Sequence, residues 1–120
     1  MQPVEINAGT WYLRALRADD RITDVPALAL LGVDSPADYV ATANADWESE
    51  TRFAWAICIP TTGELVALIG VIPDGSSGLL WGRAREGYDE ALDAAVGPVS
   101  RFAEGALGLS VSDEFARDIR

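Results

Sequence analysis

The stretch Gly82-Arg83-Ala84-Arg85-Glu86-Gly87-Tyr88 carries the residues of this chain best suited to chemistry. It joins a short apolar run to a long helical pattern, so two glycines allow a turn while helix-start amides and two guanidinium groups face the same space. Such a turn can hold a phosphate. Glycines and arginines at a strand-to-helix turn also serve geometry and ion pairing, and Glu86 offers Arg83 or Arg85 a carboxylate partner.

Proton transfer has few candidates. All nine basic residues are Arg, and His is absent, which removes the usual general base near neutral pH and the commonest transition-metal ligand. No metal is expected. Carboxylates, Tyr, the backbone and one thiol remain. Cys58, the single cysteine, lies mid-strand with no histidine to activate it and reads as a buried structural thiol.

The formal charge of −10 opposes binding to nucleic acid or anionic lipid, so neither is expected as a partner. With 120 residues and a hydrophobic fraction of 49%, the chain reads as one domain, 1–120, around a single core. Its longest apolar runs, 27–31 and 65–72, fall well below the roughly 18 residues of a membrane span. The Met-Gln-Pro-Val-Glu start has no signal-peptide pattern. A cytoplasmic location is expected, free or within a particle assembled there.

The elements that must position the turn centre on Phe53 to Pro73, FAWAICIPTTGELVALIGVIP. Two apolar runs flank Pro60-Thr61-Thr62-Gly63, the pattern of an antiparallel hairpin. Phe53, Trp55, Ile57 and Ile59 alternate with Ala54, Ala56 and Cys58, putting bulk on one face and room for a helix on the other. Leu65 to Ile72 is apolar on both faces, as in a covered central strand. Gly70 marks a bulge, a close backbone approach, or a glycine merely left room by a neighbour.

Residues 2–9 read as a lead-in or short edge strand, and Thr10 to Leu16 as the first sheet strand. Arg14 and Arg17 surround Asp19-Asp20; Arg14 could reach an anionic ligand, and pairing with those carboxylates is the favoured reading. Asp24 is placed to cap a helix through Leu28, Leu30 and Leu31 that stops at Gly32, and Ser35-Pro36-Ala37-Asp38 to start a second one. In that second helix Tyr39, Ala43 and Trp47, with Val40, form a core stripe. Leu79-Leu80-Trp81 supplies a short third strand. Tyr88 to Leu107 gives a long helix ended by Gly108, with Gly97-Pro98 predicting a kink or two shorter helices. Ser112 through Arg120 reads as a short terminal helix, acidic at its start and basic at its end.

This order, with WYLRALRADD, FAWAICIPTTGELVALIGVIPD and AREGYDEALDAAVGPVSRFAEGALGL, resembles the GCN5-related N-acetyltransferases, in particular the ribosomal-protein and aminoglycoside N-acetyltransferase branch, over roughly residues 10–111. The resemblance implies an α/β (α+β) fold with a mixed, mainly antiparallel sheet flanked by helices. It also implies acetyl-CoA as cofactor. Its pyrophosphate would lie on the turn, where Arg85 and Gly87 match the family's arginine and a glycine, Tyr88 the following aromatic, and Glu90-Ala91 the helix start. Arg83 would assist, and Trp81 would match the strand lining the acetyl group. An acidic side chain such as Glu50 or Glu64, or a water, would take the amine proton.

The sequence departs from the family in its shortened turn, in Glu86 replacing a glycine, and in the lack of recognisable strands after Leu109. Such a chain would be truncated, with one side of its sheet unpaired. Two expectations follow. One is a non-catalytic, degenerate domain acting as a protein-binding or structural subunit of a larger assembly, such as a virus particle, using no cofactor and pairing or self-associating through the open edge. The other is an acetyl-CoA-dependent N-acetyltransferase, minimal or completed by a partner chain.

Overall fold

The computed structural model describes every residue from Met1 to Arg120. Strands β1 (Ile6–Ala8) and β2 (Trp11–Arg14) form a hairpin across Gly9-Thr10, where Gly9 takes a φ of +66° that favours glycine. Helices α1 (Val25–Leu30) and α2 (Pro36–Ser49) follow. The central hairpin is β3 (Phe53–Cys58) and β4 (Leu65–Asp74), turned by Gly63 at φ +73°. Then come β5 (Ser77–Ala84), α3 (Asp89–Ala106) and β6 (Ser110–Ala116).

The six strands form one sheet in chain order, antiparallel throughout except for the parallel pair β5 and β6. Every residue of β3 is buried. Phe53, Trp55 and Ile57 pack with Ala91, Leu92, Ala95, Val99 and Ala103 of α3, while Ala54, Ala56 and Cys58 meet Leu28, Leu31, Val40 and Ala43 on the α1–α2 side. Small residues thus face two helices and bulky ones face a single helix. Trp47 bridges the layers, edge-on to Phe53 and Trp55 at 5.1 and 5.0 Å, with its indole N–H donating to the Ala54 carbonyl at 3.0 Å.

Gly70 is a close approach. A Cβ there would lie 2.3 Å from Cζ2 of the Trp81 ring and 2.7 Å from the Phe53 carbonyl oxygen. Its partner across the ladder is Trp81, so the missing side chain leaves the space into which the indole folds. This contact sets the position of the most buried part of β5.

Several expectations need correction. Residues 112–120 are not a helix: Ser110–Ala116 is the strand β6, with Val111 and Phe115 packed on the α3-side core. It occupies the edge of β5 that was expected to be open, and its own outer edge carries Asp113 and Glu114, charges that discourage further pairing. The third sheet strand runs over eight residues rather than three. Helix α3 is continuous through Pro98; Gly97, lacking a Cβ, relieves part of the clash that a proline imposes on the residue before it.

Both helix starts fall where the sequence puts them, but neither Asp24 nor Ser35 caps through its side chain. Asp24 is used elsewhere. Its carboxylate accepts from Nη1 and Nη2 of Arg14, both at 2.9 Å, and from the Arg17 amide at 2.7 Å. Arg14 therefore does not pair with Asp19 or Asp20, although Arg17 does meet Asp19 at 2.8 Å. The turn from Arg17 to Asp24 is closed by the Asp24 amide on the Arg17 carbonyl, and that closure carries the more distant carboxylate to the buried guanidinium.

Candidate functional site

The turn between β5 and α3 starts where pairing between β5 and β6 stops. Ser77 and Gly78 pair with Ser110 and Val111; Leu80 and Trp81 pair with Phe115 and Ala116. Between these registers β6 bulges, Leu79 standing against Ser112, Asp113 and Glu114. Beyond Trp81 and Ala116 the two strands are unpaired, leaving Gly82, Arg83 and Ala84 without a β6 neighbour. Gly82 is a second enforced glycine, since a Cβ would lie 2.6 Å from the Leu68 oxygen and 2.8 Å from Leu92 Cδ1.

At the helix start Gly87 takes φ +88° with open space at its Cβ position, and Tyr88 is the residue before α3. The Arg85 amide bonds to Val66, and the Tyr88 amide to Arg85. The amides of Glu86, Gly87, Asp89 and Glu90 have no protein acceptor. They leave a run of backbone donors at the positive end of an 18-residue helix. That geometry suits a pyrophosphate.

The side chains around it are mixed. Arg83 is exposed and donates to the Leu31 carbonyl at 3.0 Å. Arg85 donates to Glu64 Oε2 at 2.5 Å and to the Leu65 carbonyl at 3.1 Å, with its guanidinium 6.0 Å over the Tyr88 ring. Neither arginine pairs with Glu86, in contrast to the sequence reading. Because Arg85 extends the pairing of β5 to Val66, its side chain falls beside Glu64 at the start of β4. Glu86, Asp89 and Glu90 are all exposed around the free amides, so the donors are neutral backbone groups inside an acidic rim. Tyr88 packs edge-on to Trp11 at 6.2 Å and is half-buried. Trp81 has no exposed surface and faces the α1–α2 side, separated from the turn by Gly82 and Arg83.

Next to Arg85 a cleft of about 390 Å³ opens between α1 and the β3–β4 turn, with Arg21, Asp24, Leu30 and Glu64 on its walls. Leu30 is 71% exposed, an apolar lip on an otherwise charged mouth. Glu64 thus joins Arg85 at one place, whereas Glu50 lies at the far end of β3, in a left-handed turn after α2 at φ +59°. The buried Arg14–Asp24 pair lies beneath this cleft. Burial is the largest influence on Arg14 and opposes its charge, but the Asp24 hydrogen bonds and the charges of Cys58, Asp24 and Tyr12 together outweigh it and its pKa is raised.

Cys58 is buried, and burial pushes its thiol up to about 12. It is a core residue with no role in the cleft. Nowhere do three or more Asp, Glu or Cys side chains converge as a metal site, and no helix is long and apolar enough to cross a membrane. Sequence reasoning missed Tyr39, Arg52 and the Arg14–Asp24 pair as polar centres. Only the isolated Arg52, directly before the most apolar strand, was a visible signal for any of them.

No protein-family model and no curated protein matches the sequence. Solved structures do match. The chain is similar to a protein designated a ribosomal-protein-serine acetyltransferase from Vibrio cholerae, with a TM-score of 0.77 and 16% identity over 91% of this chain and 72% of that one. It is similar also to proteins designated acetyltransferases from Sphaerobacter thermophilus (TM-score 0.60, 19% identity, 92% and 69% covered) and Agrobacterium tumefaciens (0.60, 22%, 88% and 70%). The curled six-stranded sheet with its three helices is the fold of the GCN5-related N-acetyltransferases.

Proposed function

We propose that this chain is an acetyl-CoA-dependent N-acetyltransferase whose pyrophosphate site is the β5–α3 turn. One observation carries the reading: the acceptor-free amides of Glu86, Gly87, Asp89 and Glu90 stand where β6 parts from β5. The backbone fits a pyrophosphate, with Gly87 supplying the left-handed turn and no side chain crowding it. Acetyl-CoA supplies an activated acyl carbon for an amine nucleophile. Arg83 and Arg85 would neutralise the phosphates, Tyr88 would flank them, and Trp81 acts only from behind, fixing β5 against Gly70. An acceptor amine would enter by the cleft beside Arg85, where Glu64 can take its proton once Arg85 turns to the phosphate. The acidic surface favours cationic acceptors.

The acidic rim around the amides supports a second reading, a non-catalytic domain of the same fold that binds protein, alone or as a subunit of an assembly. Calorimetric titration separates the two. Acetyl-CoA should bind, and Arg85→Ala should weaken it by about tenfold or more while thermal stability stays near that of the parent. Absence of heat at millimolar acetyl-CoA would reject the enzyme. A complex seen by native mass spectrometry under the same conditions would then support the binding role.

A further inference from the structure

The cleft beside Arg85 is pinned at its floor and unbalanced in charge at its mouth. Asp24 stands at the start of α1 and Gly63 in the β3–β4 turn, and both line the cleft. Arg14 joins them: Nη1 and Nη2 donate to the Asp24 carboxylate and Nη2 also to the Gly63 carbonyl, all at 2.9 Å. Ile22 reaches the same turn, since a Cβ at Gly63 would lie 3.5 Å from Ile22 Cδ1. The two walls are therefore held at their spacing before anything enters.

The charged residues on those walls are Arg21, Asp24, Glu64 and Arg85. Asp24 is balanced by Arg14 and Arg85 by Glu64, whereas Arg21 takes part in no ion pair. Asp19, two residues away, is already committed. It accepts from Arg17 Nε at 2.8 Å and from the Arg21 and Ile22 amides at 2.9 and 3.0 Å, and the Arg17 bond above all holds its carboxyl well below the usual carboxylate range. Asp19 thus fixes the backbone that carries Arg21 and leaves the guanidinium free. In a chain of formal charge −10, this cleft holds an unmatched cation. Across from it Glu64 gives Oε2 to Arg85 and keeps Oε1 without a partner, and Leu30 lies exposed at the lip beside Pro26 and Ala27.

We propose that the cleft binds an apolar α-amino acid, with its carboxylate on the Arg21 fork, its ammonium group on Glu64 Oε1 and its side chain against Leu30. A guanidinium and a carboxylate match bidentately, and a volume of about 390 Å³ suits a small molecule. The proposal rests on the reading of this cleft as the entrance for the acceptor amine and names the class of acceptor. The acidic surface attracts cations at long range, and a zwitterion, having no net charge, enters without repulsion.

The test is an NMR titration of the full chain, labelled with nitrogen-15 and free of acetyl-CoA, with L-leucine, L-leucinamide and 4-methylpentanoate. Leucine should shift the amides of Arg21, Ile22 and Glu64 in a saturable way. Leucinamide lacks the carboxylate and 4-methylpentanoate the amine, and each should bind about tenfold more weakly or less well still. Arg21→Gln should bring leucine down to the affinity of leucinamide and leave leucinamide unchanged, and Leu30→Ser should weaken leucine several-fold; both positions are exposed, so the fold is retained. Leucine binding without acetyl-CoA binding would keep this proposal and reject the enzyme, whereas acetyl-CoA binding without a leucine response would reject this proposal alone. No saturable response to leucine up to about 20 mM, equal affinity for leucine and leucinamide, or an equal loss of both on Arg21→Gln would each overturn it.

Discussion

Gly70→Ala tests the contact on which the placement of β5 rests. One added methyl group would sit 2.3 and 2.4 Å from two carbons of Trp81 and 2.7 Å from the Phe53 carbonyl oxygen, distances that real Cβ atoms essentially never show. Trp81 cannot retreat, because it is wholly buried against Leu68, Ala54 and α2, and the Phe53 oxygen belongs to the central ladder. Overpacking of a core costs about 1–3 kcal/mol and occasionally more. With a rigid atom on each side, the upper end applies, about 3 kcal/mol. A urea slope of about 2 kcal/mol per molar converts this to a fall in midpoint of about 1.5 M. Chemical denaturation followed by tryptophan fluorescence measures it. Adding Trp81→Leu to Gly70→Ala should recover part of the loss, giving a coupling of about 1–2 kcal/mol in a double-mutant cycle. A loss under about 1 kcal/mol for the single change, or full additivity in the double, would refute the argument that the indole occupies the glycine's space.

Asp24→Asn should destabilise by about 3–5 kcal/mol, because it leaves the buried Arg14 guanidinium without its charge partner; equilibrium denaturation reads this, and replacing both residues by apolar ones should cost less. Cys58 should resist alkylation in the native state at pH 8, since its thiol is pushed up to about 12, and fast labelling without unfolding would refute its burial. The same shift sets a pH dependence: the folded state keeps the Cys58 proton where the unfolded chain, near 9, releases it. Stability is therefore full below pH 9 and falls as pH rises toward 12, at a slope approaching about 1.4 kcal/mol per unit, and Cys58→Ala should remove that part of the slope. Glu86→Gln should tighten acetyl-CoA binding about threefold, because an exposed carboxylate about 6 Å from a phosphate repels it by about 0.7 kcal/mol in a water-like dielectric; calorimetry giving equal affinity would place the phosphate elsewhere.

The central hairpin, the two helix starts and the Gly108 stop were legible because each rests on local signals: alternation, a proline in the first turn, a glycine at positive φ. Strand β6 was not. Val111 and Phe115 are four apart, a spacing that shares a face in a helix and in a strand alike, and Ser112-Asp113-Glu114 imitates a capped helix start. What decides the matter is the open edge of β5, a tertiary partner that outweighs local preference. The ion pairs failed for a similar reason. Sequence proximity assigned Arg14 to Asp19-Asp20 and offered Glu86 to Arg83 or Arg85, whereas a closed turn brings Asp24 to Arg14 and the β4–β5 register brings Glu64 to Arg85.

Those two corrections pull the functional argument together. With β6 present, the parallel pair that opens beside the α3 start exists, so scaffold geometry no longer argues against a nucleotide thioester at the turn. What opposes it is charge: Glu86, Asp89 and Glu90 ring the amides while Glu64 holds Arg85. The two terms differ in kind. Backbone amides are fixed in place and aimed by the fold, whereas the carboxylates are exposed, screened by salt and free to move aside, and the Arg85–Glu64 contact is an exchangeable surface pair. Phosphate binding at this turn would release Glu64 into the cleft at the moment Arg85 leaves it, so the same exchange that completes the anion site also frees a carboxylate where an amine would need one.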